Sequence, residues 1–138
     1  MKEIQSLKGL LAAALLAVSM TVSADAPISE AVGLSPEQAG AVSEIQSEAR
    51  LAFASVRSEH NRVRRALRRA EGSNDTAQVE ALTLEVARLA EEMGAIRAAE
   101  DAEIRALLTP DQLPDFDAWI SERDAMVGSS RDARVIPN

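Results

Sequence analysis

Gly72-Ser73-Asn74-Asp75 decides the architecture of this chain, because it is a turn standing between two long helical runs. Glycine suits the position just past a helix end, and Asp75 followed by Gln78 makes a capping box for a helix starting immediately afterwards. Downstream, Val79, Leu82, Val86, Leu89, Met93 and Ile96 recur at three-four-three-four-three spacing, and the stripe resumes at Ile104 and Leu107 after a polar interval at Glu100 and Glu103. A seven-residue apolar repeat of this kind favours left-handed packing against another helix. Upstream, Val42, Ile45, Ala49, Ala52, Phe53, Val56, His60, Val63, Leu67 and Ala70 trace one apolar face, along a helix of roughly 35 residues. Two helices of similar length joined by so short a turn fold back as an antiparallel hairpin. Symmetric pairing about the turn places Phe53 near Met93, His60 near Val86 and Val42 near Ile104.

Both outer ends of this hairpin meet the same five-residue pattern. Leu34-Ser35-Pro36-Glu37-Gln38 opens the first long helix, with Ser35 as cap, Pro36 where its missing N–H is harmless, and Gln38 closing the capping box. Leu108-Thr109-Pro110-Asp111-Gln112 is a near copy, with Thr109 as cap and Gln112 as box partner. It opens a shorter helix carrying Phe116, Trp119, Ile120, Arg123 and Val127 on one face, ended by Gly128-Ser129-Ser130. Pro114 sits where a backbone amide should bond back to Pro110, which predicts a distorted first turn. The expected fold is all-α: a long antiparallel hairpin with a shorter C-terminal helix. Phe53, Phe116 and Trp119 are expected to cluster at the end where the short helix joins. Three slim helices bury little, so mutual burial in a homodimer is expected as well.

The chain begins with Lys2 and Lys8 ahead of the uncharged run Gly9 to Met20, followed by small residues at Val22-Ser23-Ala24. This reads as a cleavable export signal over residues 1–24, cut before Asp25. The run is short of the about 20 residues that span a bilayer, so a retained inner-membrane anchor is the weaker reading. Residues 25–33 are small, polar and proline-containing and read as a flexible lead-in, residues 34–127 as the helical domain, and residues 128–138 as a disordered tail. Without residues 1–24 the chain keeps 114 residues and a net charge of −8. That acidity argues against nucleic acid as the main partner, since such affinity rests on Lys and Arg neutralising phosphates. No cysteine is present, so neither a disulfide framework nor a cysteine-linked lipid anchor can form.

Charge is concentrated in one place. Arg57, Arg62, Arg64, Arg65, Arg68 and Arg69 are opposed only by Glu59, giving residues 57–69 a net charge of +5 within an otherwise acidic chain. Cations near a helix C-terminus are favourable on their own, and arginine stems cover apolar surface. The same cluster also makes an electropositive, partly apolar patch for an acidic or unfolded polypeptide, or for anionic lipid. His60 is the only histidine. It lies within the packing stripe, and as a ligand for a divalent metal it lacks a second histidine or cysteine at ligand spacing. Met93 belongs to the core stripe. Catalysis finds no support: there is no cysteine, no tyrosine and no glycine-rich phosphate loop. Carboxylate pairs such as Glu91-Glu92 and Glu100-Asp101 fall on helices, where sequence neighbours diverge.

Taken together, the two capped starts separated by a long hairpin behind an export signal resemble the repeated Leu-Thr-x-x-Gln motif of the Spy/CpxP family of periplasmic proteins. The stretch from Glu59 through Asp117 also resembles the heavy-metal resistance or sensing branch, which includes CnrX-like and ZraP-like proteins. This resemblance implies a hairpin with shorter flanking helices, dimerised into a cradle in the periplasm. It implies an ATP-independent chaperone or an envelope-stress adaptor, with Arg62, Arg65 and Arg69 on the surface that meets unfolded or envelope proteins, including a membrane stress sensor. For the metal-sensing alternative, in which a divalent metal signals to a membrane regulator, the chain departs from the pattern because His60 stands alone. Ser35 in place of threonine preserves the capping chemistry. No catalytic residue and no cofactor are implied.

Overall fold

The computed structural model describes residues 27–132, with side chains as far as Gly128. The expected export signal therefore lies outside the described residues. Among the described residues four helices follow one another: α1 (Ile28–Val32), α2 (Pro36–Gly72), α3 (Thr76–Leu107) and α4 (Leu113–Asp132). The fold is all-α, with α2 and α3 packed closely along each other as a hairpin.

Its turn is built from local chemistry. Ser73 caps α2, donating through its backbone and its hydroxyl to Ala70 O, and Asp75 N returns to the same carbonyl at 3.1 Å. Asn74 takes the left-handed backbone this requires, at φ 55°, a conformation that asparagine tolerates better than most residues. Asp75 then caps α3, its carboxylate accepting from Gln78 N at 3.1 Å. Left-handed backbone was thus needed at Asn74, while Gly72 is simply the last residue of α2.

At the opposite end the core forms. Ile28, Val32, Val42, Ile104 and Phe116 are buried together, with Leu34, Ile45, Leu108, Trp119 and Ile120 packed against them. Val42 and Ile104 meet as the symmetric pairing required, and Phe53 and Met93 border one groove. Arg105 and Arg123 reach from α3 and α4 to finish this layer. Arg105 lies 5.4 Å over the Phe116 ring and pairs with Asp117, whereas Arg123 lies 5.5 Å over Trp119 and grips Asp101 through two bonds at 2.8 and 2.9 Å.

Several expectations are corrected. Residues 28–32 are a helix and part of the core, where a flexible lead-in was expected; burying Ile28 and Val32 on the hairpin offsets the cost of ordering one short turn. Gly33 stops that helix in left-handed backbone at φ 65°. The short C-terminal helix begins at Leu113, past a turn over residues 110–112, and runs through Gly128 to Asp132. That turn leaves Pro114 within the first helical positions, where its missing N–H breaks no bond. Phe116 and Trp119 do pair, with ring centroids 6.3 Å apart, but Phe53 is elsewhere. It sits eleven residues along α2 from Val42, about 16 Å at the helical rise, and Arg97 covers its ring at 4.8 Å.

Candidate functional site

The two matched motifs face each other across the base of the hairpin. Gln38 closes its own capping box, its Oε1 accepting from Ser35 N at 3.0 Å while Ser35 Oγ accepts from Gln38 N at 3.1 Å. Gln112 does the first half of this, accepting from Thr109 N at 3.0 Å, while its own amide donates to the carbonyl of Thr109 at 3.0 Å. The carboxamides then bond each other: Gln38 Nε2 to Gln112 Oε1 at 2.9 Å, and Gln112 Nε2 to Gln38 Oε1 at 3.0 Å. The remaining hydrogens go to backbone, from Gln38 Nε2 to Leu107 O at 3.0 Å and from Gln112 Nε2 to Gly33 O at 3.1 Å. Each side chain thereby uses its two donors and accepts twice. Read one at a time, the motifs are helix caps; the cross-pairing needed the hairpin to bring them together. Their matched residue patterns were the available signal.

Beyond this base, among the described residues, uncovered grooves run between α2 and α3, of which two bear on function. One is lined by Ile45, Ala49, Ala52, Ile96 and Ala99, with Glu48, Glu100 and Glu103 at its rim, and further along the hairpin Ser55, Val56, Glu59, Arg88 and Glu92 line a polar hollow. The other runs past Arg50, Phe53 and Arg97 to His60, Met93 and Gly94. Glu100 borders both grooves. Burial, and then the neighbouring Asp101, push its carboxyl above the ordinary range against the pull of Arg123, Arg97 and Arg50.

The arginine cluster is fully outward. Arg62, Arg65 and Arg69 are exposed on one helical stripe with Leu51, Ser55 and Ser58. They are not equivalent. Arg62 is held by Glu59, whose carboxyl its hydrogen bond draws below the ordinary range. Arg57, Arg64, Arg65, Arg68 and Arg69 make no ion pair among the described residues. Arg88 on α3 bridges Glu85 at 2.7 Å and Glu92 at 3.0 Å. The guanidiniums that do border an apolar groove are Arg50 and Arg97, which charge counting along the sequence passed over because they lie outside the cluster.

His60 is partly buried beside Phe53, Met93 and Arg97. Among the described residues, no group of three His, Cys, Asp or Glu side chains is placed to hold a metal ion.

This combination defines a helical hairpin with a closed base and open flanks. The chain belongs to the LTXXQ motif family, whose model matches residues 24–119. No curated protein and no solved structure matches it. Membership supports a chaperone or stress-adaptor role in general terms. Among the described residues, no helix is long and apolar enough to cross a membrane.

Proposed function

We propose that this protein is exported to the periplasm by a cleavable signal and acts there as an ATP-independent chaperone or envelope-stress adaptor. It works by contact alone, holding partly unfolded or envelope proteins, a membrane stress sensor among them, and it assembles as a homodimer. The observation that carries this reading is the open flank of the hairpin: Phe53 of α2 and Met93 of α3 stand in an uncovered groove bordered by Arg50 and Arg97, and the far end of α2 carries Arg65 and Arg69, which make no ion pair among the described residues. Apolar floor and fixed cations together suit varied acidic or unfolded segments, and the net positive end speeds encounter.

The test is light scattering of a denatured client with and without the protein. Suppression of aggregation at a few-fold molar excess is the expected result, and an unchanged curve at tenfold excess refutes the chaperone reading. Arg50→Glu with Arg97→Glu should weaken suppression several-fold. Arg65→Glu with Arg69→Glu should mainly slow the onset and lose that effect in high salt, whereas Arg62→Gln should do least because Glu59 already holds it. The metal-responsive alternative has no observation in its favour among the described residues, and titration calorimetry with zinc, nickel and copper would reveal it if a site existed.

A further inference from the structure

We propose that α1 and α4 form a two-helix cap that opens from the hairpin as one body, with the Gln38–Gln112 pair as the catch that holds it shut. Backbone proximity groups α2 with α3 and, over a shorter span, α1 with α4. Between the two pairs lies the core of Ile28, Val32, Val42, Ile104 and Phe116, which opening would divide. The cap joins the hairpin through two short connections, one at Gly33 and the other at Leu108. Both are pinned by the same two side chains: Gly33 O accepts from Gln112, and Leu107 O accepts from Gln38. A single reciprocal amide pair therefore immobilises both hinges at once. Gly33, already in left-handed backbone with open space around its Cα, has the conformational freedom a hinge needs.

Opening has a defined consequence. Ile45 lies at the margin of the covered core and also lines the open groove with Ala49, Ala52 and Ile96. With the cap displaced, that groove runs on through Val42 to Ile104, so the apolar face lengthens towards the base. The Arg105–Asp117 and Arg123–Asp101 pairs tie α4 to α3 away from the hinge and part when the cap moves, which makes opening easier in salt. The motion rests on these contacts alone; its use in widening a partner surface rests on the chaperone reading above.

Trp119, the single tryptophan, packs against the cap core and reports the motion directly. In the full chain, Gln112→Leu and Gln38→Leu should each raise acrylamide quenching of Trp119 at least twofold. Hydrogen exchange in residues 28–34 and 108–124 should accelerate at least tenfold, with residues 60–86 unchanged. Gln112→Glu supplies a second, reversible readout. At neutral pH its carboxylate still accepts from Thr109 N and Gln38 Nε2 but cannot donate to Gly33 O or Gln38 Oε1, and facing those oxygens it weakens the catch; once protonated, its O–H donates to Gln38 Oε1 and the carboxyl–amide pair reforms. Quenching in Gln112→Glu, taken relative to the unsubstituted chain at each pH, should therefore fall back as pH drops below about 4. Exchange that rises equally along the whole hairpin, or Trp119 quenching unchanged in a folded variant, overturns the proposal. Aggregation suppression that fails while the cap still opens would overturn only the chaperone reading.

Discussion

Gln38 and Gln112, 74 residues apart, pair carboxamide to carboxamide through two hydrogen bonds at 2.9 and 3.0 Å. Each also bonds the backbone carbonyl just before the opposite motif, and removing either leaves the other's partly buried carboxamide short of a donor and an acceptor. Gln38→Leu or Gln112→Leu alone should cost about 1–3 kcal/mol of unfolding free energy. The double variant should cost clearly less than the sum, since the second substitution removes groups the first had stranded. Urea titration of the four-member cycle measures this, and simple additivity would show the pair to be energetically uncoupled.

The three helix starts differ in what their caps contribute. Ser35 supplies a full capping box and Asp75 a carboxylate acceptor, so Ser35→Ala and Asp75→Ala should each cost about 1 kcal/mol. At the third start the amide of Gln112 bonds to the carbonyl of Thr109. Thr109→Ala should accordingly cost less than Ser35→Ala. Thermal melts ranked in the opposite order would contradict this account of the turn.

Phe116 and Phe53 were grouped by sequence and are separated by structure. Phe116 is wholly buried under Arg105 and against Trp119, so Phe116→Ala should cost about 3–5 kcal/mol and bring the chain close to unfolding. Phe53 is only partly buried beside an open groove, and Phe53→Ala should cost far less while weakening client retention. Equal losses of stability would place Phe53 in the core after all.

Glu100 gives stability a pH dependence of definite sign. Its carboxyl titrates above the ordinary range in the folded chain, chiefly through burial. A raised folded value means the protonated form is favoured on folding, so its contribution is fully present below the unfolded value, near 4.5, and is lost as pH rises through the folded value. Glu100→Gln should therefore raise the melting temperature by about 1–3 °C at neutral pH, an advantage that shrinks as the solution is made acidic. Glu59 and Glu85 run the other way: hydrogen bonds from Arg62 and Arg88 hold them below the ordinary range, so their small contributions fade as acid protonates them. Melting curves between pH 3.5 and pH 7.5 separate the two behaviours.

The helical periods, the turn at residues 73–75 and the starts at Ser35 and Asp75 were all legible because each depends on residues within one or two turns of one another. Register followed, since a short turn between two stripes leaves one way to pair Val42 with Ile104. The arginine cluster was equally plain as charge, yet its members differ in space: Arg62 is tied to Glu59, while Arg65 and Arg69 have no such partner among the described residues, and the arginines that border the groove, Arg50 and Arg97, lie outside the cluster.

What sequence alone determined is the class of object: an all-α hairpin with capped ends, an acidic body and a basic stretch, because helix formation and capping are local. Only the tertiary structure decided that the two motif glutamines clasp each other, that residues 28–32 fold into a cap with α4, and that Phe53 faces a groove while Phe116 closes the core. Those outcomes depend on which surfaces meet across the base of the hairpin. The capping bonds from Ser35 N and Thr109 N orient each carboxamide locally, but the contact between Gln38 and Gln112, 74 residues apart, is made only by that meeting.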